Sequence, residues 1–176
     1  FHIQNEWPAG IGHPPDAAEP ADWDWNAWLG PAPQLPYNPN RGFYRFRWFR
    51  DYSGGQLTNF GAHFIDVIQW PIGQEAPVRV SAAGVRGTIA DSRQVPDTME
   101  AVWEYAGGPL VTFSQFNANA SPANPRSGYV EFRGTEGTLH VMSGRIEIVP
   151  EAVRLEEIPA LDPRRRDANA RQVRAA

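Results

Sequence analysis

The chain has 176 residues, 41% of them hydrophobic, with seven tryptophans and a formal charge of −4. That length and apolar content support one folded domain with a substantial core and exclude a disordered segment. The acidic balance gives no electrostatic footprint for nucleic acid, and no apolar run is long enough to span a membrane. Cysteine is absent, which removes disulfides, thiolate catalysis and cysteine zinc sites and leaves the compartment open. Lysine is absent too, all sixteen basic residues being arginine, so no Schiff base and no lysine acid or base comes from this chain.

Phe1 to Trp7 reads as a short strand. Residues 8–40 form a long loop rich in proline and tryptophan, and the prolines argue against a long helix or a central strand there. Asp22 or Asp24 is placed to cap a short helix that carries Trp25 and Trp28 on one side. These tryptophans are expected to staple the loop onto the core. Arg41 to Tyr52 interleaves aromatic residues with four arginines and does not alternate as a half-buried strand does. Such interleaving suits nucleic acid, which the net charge disfavours, or a sugar site, where rings stack on sugar faces and guanidinium groups fork to hydroxyls. It also suits an ordered surface segment with ion pairs. Tyr44, Arg47 and Trp48 are the candidate ligand contacts in it.

The next segment carries the sharpest signal. Gly54-Gly55 is followed by Gln56-Leu57-Thr58-Asn59-Phe60-Gly61-Ala62-His63-Phe64-Ile65-Asp66 and closed by Trp70. It reads as a glycine turn feeding an amphipathic helix. At about 100° per residue, Asn59, His63, Asp66 and Trp70 share one stripe, while Leu57, Phe60, Phe64, Val67 and Ile68 face a core. Histidine is the side chain best suited to move a proton near neutral pH. A carboxylate one turn away binds substrate hydroxyls or fixes the histidine tautomer, and an amide both donates and accepts. The plainer alternative keeps all three as satisfied surface or helix-start residues.

Beyond this helix the texture becomes β. Val78 to Arg86 is a strand. Thr98 to Tyr105, a Gly107-Gly108 turn and Leu110 to Phe116 form a hairpin. Tyr129 to Arg133 and Thr138 to Met142 form a second, joined by a turn over Gly134 to Gly137. Arg145 to Val149 adds an edge strand that Pro150 ends. Asn117 to Arg126 is a loop, and residues 151–176, with Arg164-Arg165-Arg166, read as a solvated polar tail. The fold class expected is therefore α+β, a largely antiparallel open β-sheet with few helices on one face, making one domain over residues 1–150.

Several blocks together resemble the second domain of the glucose–fructose oxidoreductase / inositol dehydrogenase (Gfo/Idh/MocA) family. They are Trp23-Asp24-Trp25-Asn26-Ala27-Trp28-Leu29-Gly30-Pro31-Ala32-Pro33, Tyr37-Asn38-Pro39-Asn40-Arg41, Arg47 to Gly55, Pro96-Asp97-Thr98, and Phe132-Arg133-Gly134-Thr135-Glu136-Gly137-Thr138-Leu139. The resemblance implies a bacterial oxidoreductase whose NAD or NADP sits on an N-terminal Rossmann domain, with a sugar or polyol bound against the second domain. It makes His63 the catalytic histidine and Asp66 a substrate contact. The family's Asp-x-x-x-His pair has Asn59 at the aspartate position, a departure: an amide orients substrate or histidine but cannot act as a base. The family's catalytic lysine must lie outside this chain. It also implies a homo-oligomer through the open sheet, in the cytoplasm or periplasm.

No G-x-G-x-x-G turn occurs here, since Gly10-Ile11-Gly12 runs into His13-Pro14-Pro15. The Rossmann domain is therefore expected to be absent from this chain, and the isolated fragment to be inactive. His2, His13, His63 and His140 form no H-x-H or H-E-x-x-H, so no metal is expected, and no G-x-S-x-G elbow marks a serine hydrolase. Two alternatives stand beside the dehydrogenase reading. One is an NAD-dependent glycoside hydrolase of the same fold. The other is a noncatalytic carbohydrate-binding or dimerisation module, which exposed Trp103, Tyr105 or Phe113 would favour.

Overall fold

A computed structural model describes residues 2–4, 9–119, 130–142 and 144–152. The chain falls into two compact units, Phe1–Val130 and Glu131–Ala176, and each is taken by itself. Their described residues carry two sheets and two α-helices, an α+β fold built mostly from antiparallel strands. The largely antiparallel, helix-poor layout agrees with the sequence expectation, and the described strands form sheets of four and three. No described helix is long and apolar enough to cross a membrane.

The first unit is organised by a hairpin. Strands β3 (Thr98–Glu104) and β4 (Leu110–Phe116) pair antiparallel from Thr98↔Phe116 to Glu104↔Leu110. The turn between them uses Gly107 and Gly108 at positive φ, and the Tyr105 amide donates to the Pro109 carbonyl at 3.0 Å. Strand β2 (Arg79–Val85) adds antiparallel to β3, and the short β1 (His2–Gln4) adds parallel to β4, giving the order β1-β4-β3-β2.

The alternation in β3 then decides what covers the sheet. Ala101 and Phe113 lie opposite each other and are buried, with Met99 and Trp103 beside them. Helix α2 (Phe60–Ile72) lays Phe60 and Phe64, with Leu57 from the preceding turn, onto that pair. Full burial of such side chains is worth roughly 1.5–3 kcal/mol each, and these three, partly buried, gain a fraction of that. The Tyr105 hydroxyl adds a tie, donating to Gln69 Oε1 at 2.7 Å. Trp103, Tyr105 and Phe113 are therefore under or beside the helix and do not form an exposed aromatic face; Phe113 is fully buried. Ile68 is buried as its spacing predicts, but Val67 is 37% exposed, because the contact stripe is narrower than the apolar one. Gly73, at φ +66°, ends the helix and donates to the Gln69 carbonyl, two residues after Pro71 removes a helical donor.

The loop before the helix is held by aromatic contacts, as its tryptophans suggested. Helix α1 (Trp25–Leu29) starts at Asp24, whose Oδ1 accepts from the Ala27 amide. Trp23 stacks on Phe43 at 4.8 Å and meets Trp25, Trp28 and Tyr37 edge-on. Trp25 Nε1 donates to the Leu35 carbonyl and Trp28 Nε1 to the Arg41 carbonyl, so both indoles of α1 have a hydrogen-bond partner. A second core joins Ile11, Trp48, Phe49 and Val95. Asn40, wholly buried, bridges to it through Nδ2 donations to the Ile11 carbonyl and Ser92 Oγ, and accepts from Arg45 on Oδ1.

In the second unit β5 (Val130–Arg133), β6 (Gly137–Met142) and β7 (Arg145–Pro150) follow the order β5-β6-β7. The Gly134 amide donates to the Gly137 carbonyl and closes the turn of the G-T-E-G-T block. A Cβ on Gly137 would sit 2.6 Å from the Val149 carbonyl oxygen, so the second glycine of that block is needed for strand approach. The Asn117–Arg126 loop beyond residue 119, and the tail beyond residue 152, lie outside the described residues.

The Pro96-Asp97-Thr98 block acts as a clamp. Buried Asp97 Oδ2 accepts from the amides of Gly87, Thr88 and Ile89 at 3.0–3.1 Å, and Oδ1 accepts from the Thr98 hydroxyl. Burial alone raises a carboxyl pKa; here the four donors outweigh it and hold Asp97 below the usual carboxylate range. A native pKa below the unfolded one contributes stability that is present at neutral pH and lost as pH falls through the native value. We predict that Asp97→Asn lowers unfolding free energy at pH 7 by about 2–3 kcal/mol, and that the gap to the wild type narrows below about pH 4; urea melts across that range check it.

Candidate functional site

The site is built on the glycine turn that launches α2. Gly55 has φ +73°, and a Cβ there would meet Val95 Cγ2 at 2.8 Å. Its amide donates to the Arg47 carbonyl at 2.8 Å, which fixes the turn to the arginine–aromatic segment. Thr58 Oγ1 accepts from the Gly54 amide at 2.9 Å and donates to the Gly55 carbonyl. These local bonds compete with helical ones, so the helix starts at Phe60 and Asn59 becomes its N-cap residue.

Asn59 is half-buried, and its side chain makes no capping bond. Its Nδ2 instead donates to Gln56 Oε1 at 3.3 Å. Gln56 is fully buried, and its Nε2 has no hydrogen-bond partner among the described residues. One turn on, His63 and Asp66 are exposed, and Trp70 is 73% exposed. Neither the His63 nor the Asp66 side chain makes a hydrogen bond or ion pair with a described residue. The stripe thus presents an imidazole and a carboxylate, both unengaged, beside an amide anchored at its root.

Of the residues singled out in the arginine–aromatic segment, two stand together and one does not. The Arg47 guanidinium lies 5.8 Å from the Tyr44 ring centroid, within cation–π range. Tyr44 is 71% exposed and takes φ +61°, unusual for a bulky residue. Arg47 Nε is buried with no hydrogen-bond partner among the described residues. Trp48, expected as a ligand contact, is instead wholly buried, with the Arg93 guanidinium 4.8 Å from its ring centroid. It has no surface for a substrate and serves the core; aromatic spacing alone does not distinguish the two uses.

Sequence reading passed over Gln56, although its place directly after Gly54-Gly55 and three before Asn59 was the available signal. It also passed over a cavity of about 470 Å³ bounded by Trp28, Pro31, Phe46, Asp51 and Tyr52, which no spacing rule reveals because its walls come from three segments. Among the described residues no three His, Asp or Glu side chains gather as a metal site.

Sequence comparison adds the family. The profile of the Gfo/Idh/MocA oxidoreductase family, C-terminal alpha/beta domain, matches residues 1–169. The chain belongs to the Gfo/Idh/MocA family. Its blocks around Trp23, Gly54, Asp97 and Gly134 all fall within that match, and no curated protein matches the chain. Among solved structures this Gfo/Idh/MocA domain is similar to the WlbA dehydrogenase from Bordetella pertussis, described in complex with NADH and UDP-GlcNAcA. The identity is 20% and the TM-score 0.44 over 63% of this chain, which spans 34% of that one.

The glycine turn yields a stability test. Gly55→Ala meets both a disfavoured φ and the Val95 side chain and should cost about 2–4 kcal/mol. Gly73→Ala, also at positive φ but with nothing within 4 Å of the new Cβ, should cost about 1 kcal/mol. Chemical denaturation of the two variants measures the difference.

Proposed function

We propose that this domain is the substrate-facing part of an NAD(P)-dependent oxidoreductase acting on a sugar or polyol hydroxyl. The observation that carries the reading is His63: an exposed imidazole without a partner, three residues before an equally unengaged Asp66, on the helix of an oxidoreductase-family domain. Membership in the family brings the expectation of a nicotinamide dinucleotide held by a further domain. The donor set here fits that chemistry, because oxidising an alcohol leaves a hydroxyl proton for an imidazole to take. When bound, the dinucleotide supplies the hydride acceptor.

In this reading His63 removes or relays the hydroxyl proton. Asp66 accepts from neighbouring hydroxyls and fixes the ring that carries them. Asn59 holds substrate or histidine in place; one N–H of its amide is committed to Gln56, which leaves Oδ1 and the second N–H on offer. Tyr44 and Arg47 form an aromatic and guanidinium edge for the same ligand. The side of the sheet away from α2, where Val85 and Leu110 are 60% and 65% exposed, is the proposed self-association face.

Two outcomes are expected. In an enzyme that carries this chain together with its dinucleotide-binding domain, His63→Ala should lower kcat/KM about a hundredfold or more, whereas Asp66→Asn should act mainly through KM; steady-state kinetics on a panel of polyols decides, and an undiminished rate in the His63 variant rejects the assignment. The chain by itself, which has no lysine, should show no NAD(P)-linked turnover in the same assay.

A further inference from the structure

The cavity between the proline-rich loop and the segment after it shares no lining residue with the α2 stripe. Its volume is about 470 Å³, and Trp28, Pro31, Phe46, Asp51 and Tyr52 contribute to its walls. Trp28 and Phe46 meet edge to face at 6.0 Å. Because Trp28 Nε1 is spent on the Arg41 carbonyl at 3.1 Å, what remains of that side chain for a ligand is its ring. Of the two polar side chains in the lining, one is both unspent and open to a ligand. The Tyr52 hydroxyl is buried and has no hydrogen-bond partner among the described residues. The Asp51 carboxylate is exposed and makes no hydrogen bond or ion pair with a described residue.

The charge balance is equally particular. Arg41, the cation whose field reaches Tyr52, is already matched by Asp16 at 3.0 Å. Asp51 has no such match and is left over. Burial pushes the Tyr52 phenol up, with Arg41 opposing and Asp51 adding to the rise, so at neutral pH the hydroxyl is a hydrogen-bond donor.

We propose that this cavity binds a small organic cation, its ammonium set against Asp51 and against the ring faces of Trp28, Phe46 and Tyr52. Aromatic faces are the negative side of the ring quadrupole and attract a cation placed over them. The unmatched carboxylate adds a full charge at the same place. A neutral ligand of equal shape gains the apolar walls and neither of these terms. The volume has room for an ammonium head and a short attached chain.

The test titrates choline into the chain at fixed ionic strength, with tryptophan fluorescence and calorimetry as readouts. The neutral isostere 3,3-dimethyl-1-butanol and the polyol myo-inositol are run in parallel. Saturable choline binding is expected, about fivefold or more tighter than the isostere, with a similar loss in Asp51→Asn, whose fold is verified by circular dichroism. His63→Ala should bind choline as the wild type does, which keeps this site distinct from the one on α2. Absence of saturable choline binding, equal binding of the isostere, an Asp51→Asn variant of undiminished affinity, or a preference for myo-inositol would each overturn the proposal.

Discussion

The first unit depends on one buried ion pair. Arg93 Nε and Asp91 Oδ2 are 2.6 Å apart, and both side chains are almost wholly out of solvent. The same carboxylate accepts from the Ile11 amide and, on its other oxygen, from the Arg93 amide. The guanidinium covers Trp48. A pair taken out of water gains little net stability, but removing one partner strands the other and costs about 3–5 kcal/mol. Its role is therefore to fix geometry. It joins an N-terminal stretch, the arginine–aromatic segment and the 91–97 stretch, three parts of the chain that share no hydrogen-bond ladder.

From that junction the site follows in short steps. Gln94 donates to the Trp48 carbonyl, Gly55 donates to the Arg47 carbonyl, and Val95 fills the space that Gly55 leaves open. The turn is thus gripped from both sides, which sets where α2 begins and along which line its His63 stripe runs. Two residues further, Asp97 gathers three amides and starts β3, whose Ala101 receives the helix. The ion pair, the Val95 side chain that meets the turn and the carboxylate clamp all lie on the 91–97 stretch, and each holds a different neighbour.

Much of this was legible from residue order, for identifiable reasons. The β3–β4 hairpin was readable because strict alternation around Gly107-Gly108 leaves one register that buries Ala101 and Phe113. The cap of α1 was readable as Asp22 or Asp24, because an acidic residue just before Trp25 obeys a local rule, and the Ala27 amide bond selects Asp24. Trp48 was misread because burial depends on what a distant Arg93 does. The extent of the α2 stripe was readable, but not its beginning, since Thr58 diverts the first amides into a turn. Gln56 and the Asp51–Tyr52 cavity were not readable, because no periodicity connects residues whose meeting is arranged by loops. The family resemblance supplied roles for His63 and Asp66 that the residues by themselves leave open between proton transfer and plain surface.

Strand β2 closes the described sheet on one side, and every one of its seven residues is exposed. Its outer row of amides and carbonyls faces no described strand, so the backbone there is a template for another strand. Natural edges are usually blunted by lysine, proline or a bulge; β2 has none of the three, but Arg79 at its first position, exposed Val80 and Val85 towards its ends, and a run of small side chains, Ser81, Ala82, Ala83 and Gly84, at its centre. Small residues give an incoming strand little side-chain grip. The grip this margin offers is therefore concentrated at its two ends, where Val80 and Val85 stand exposed.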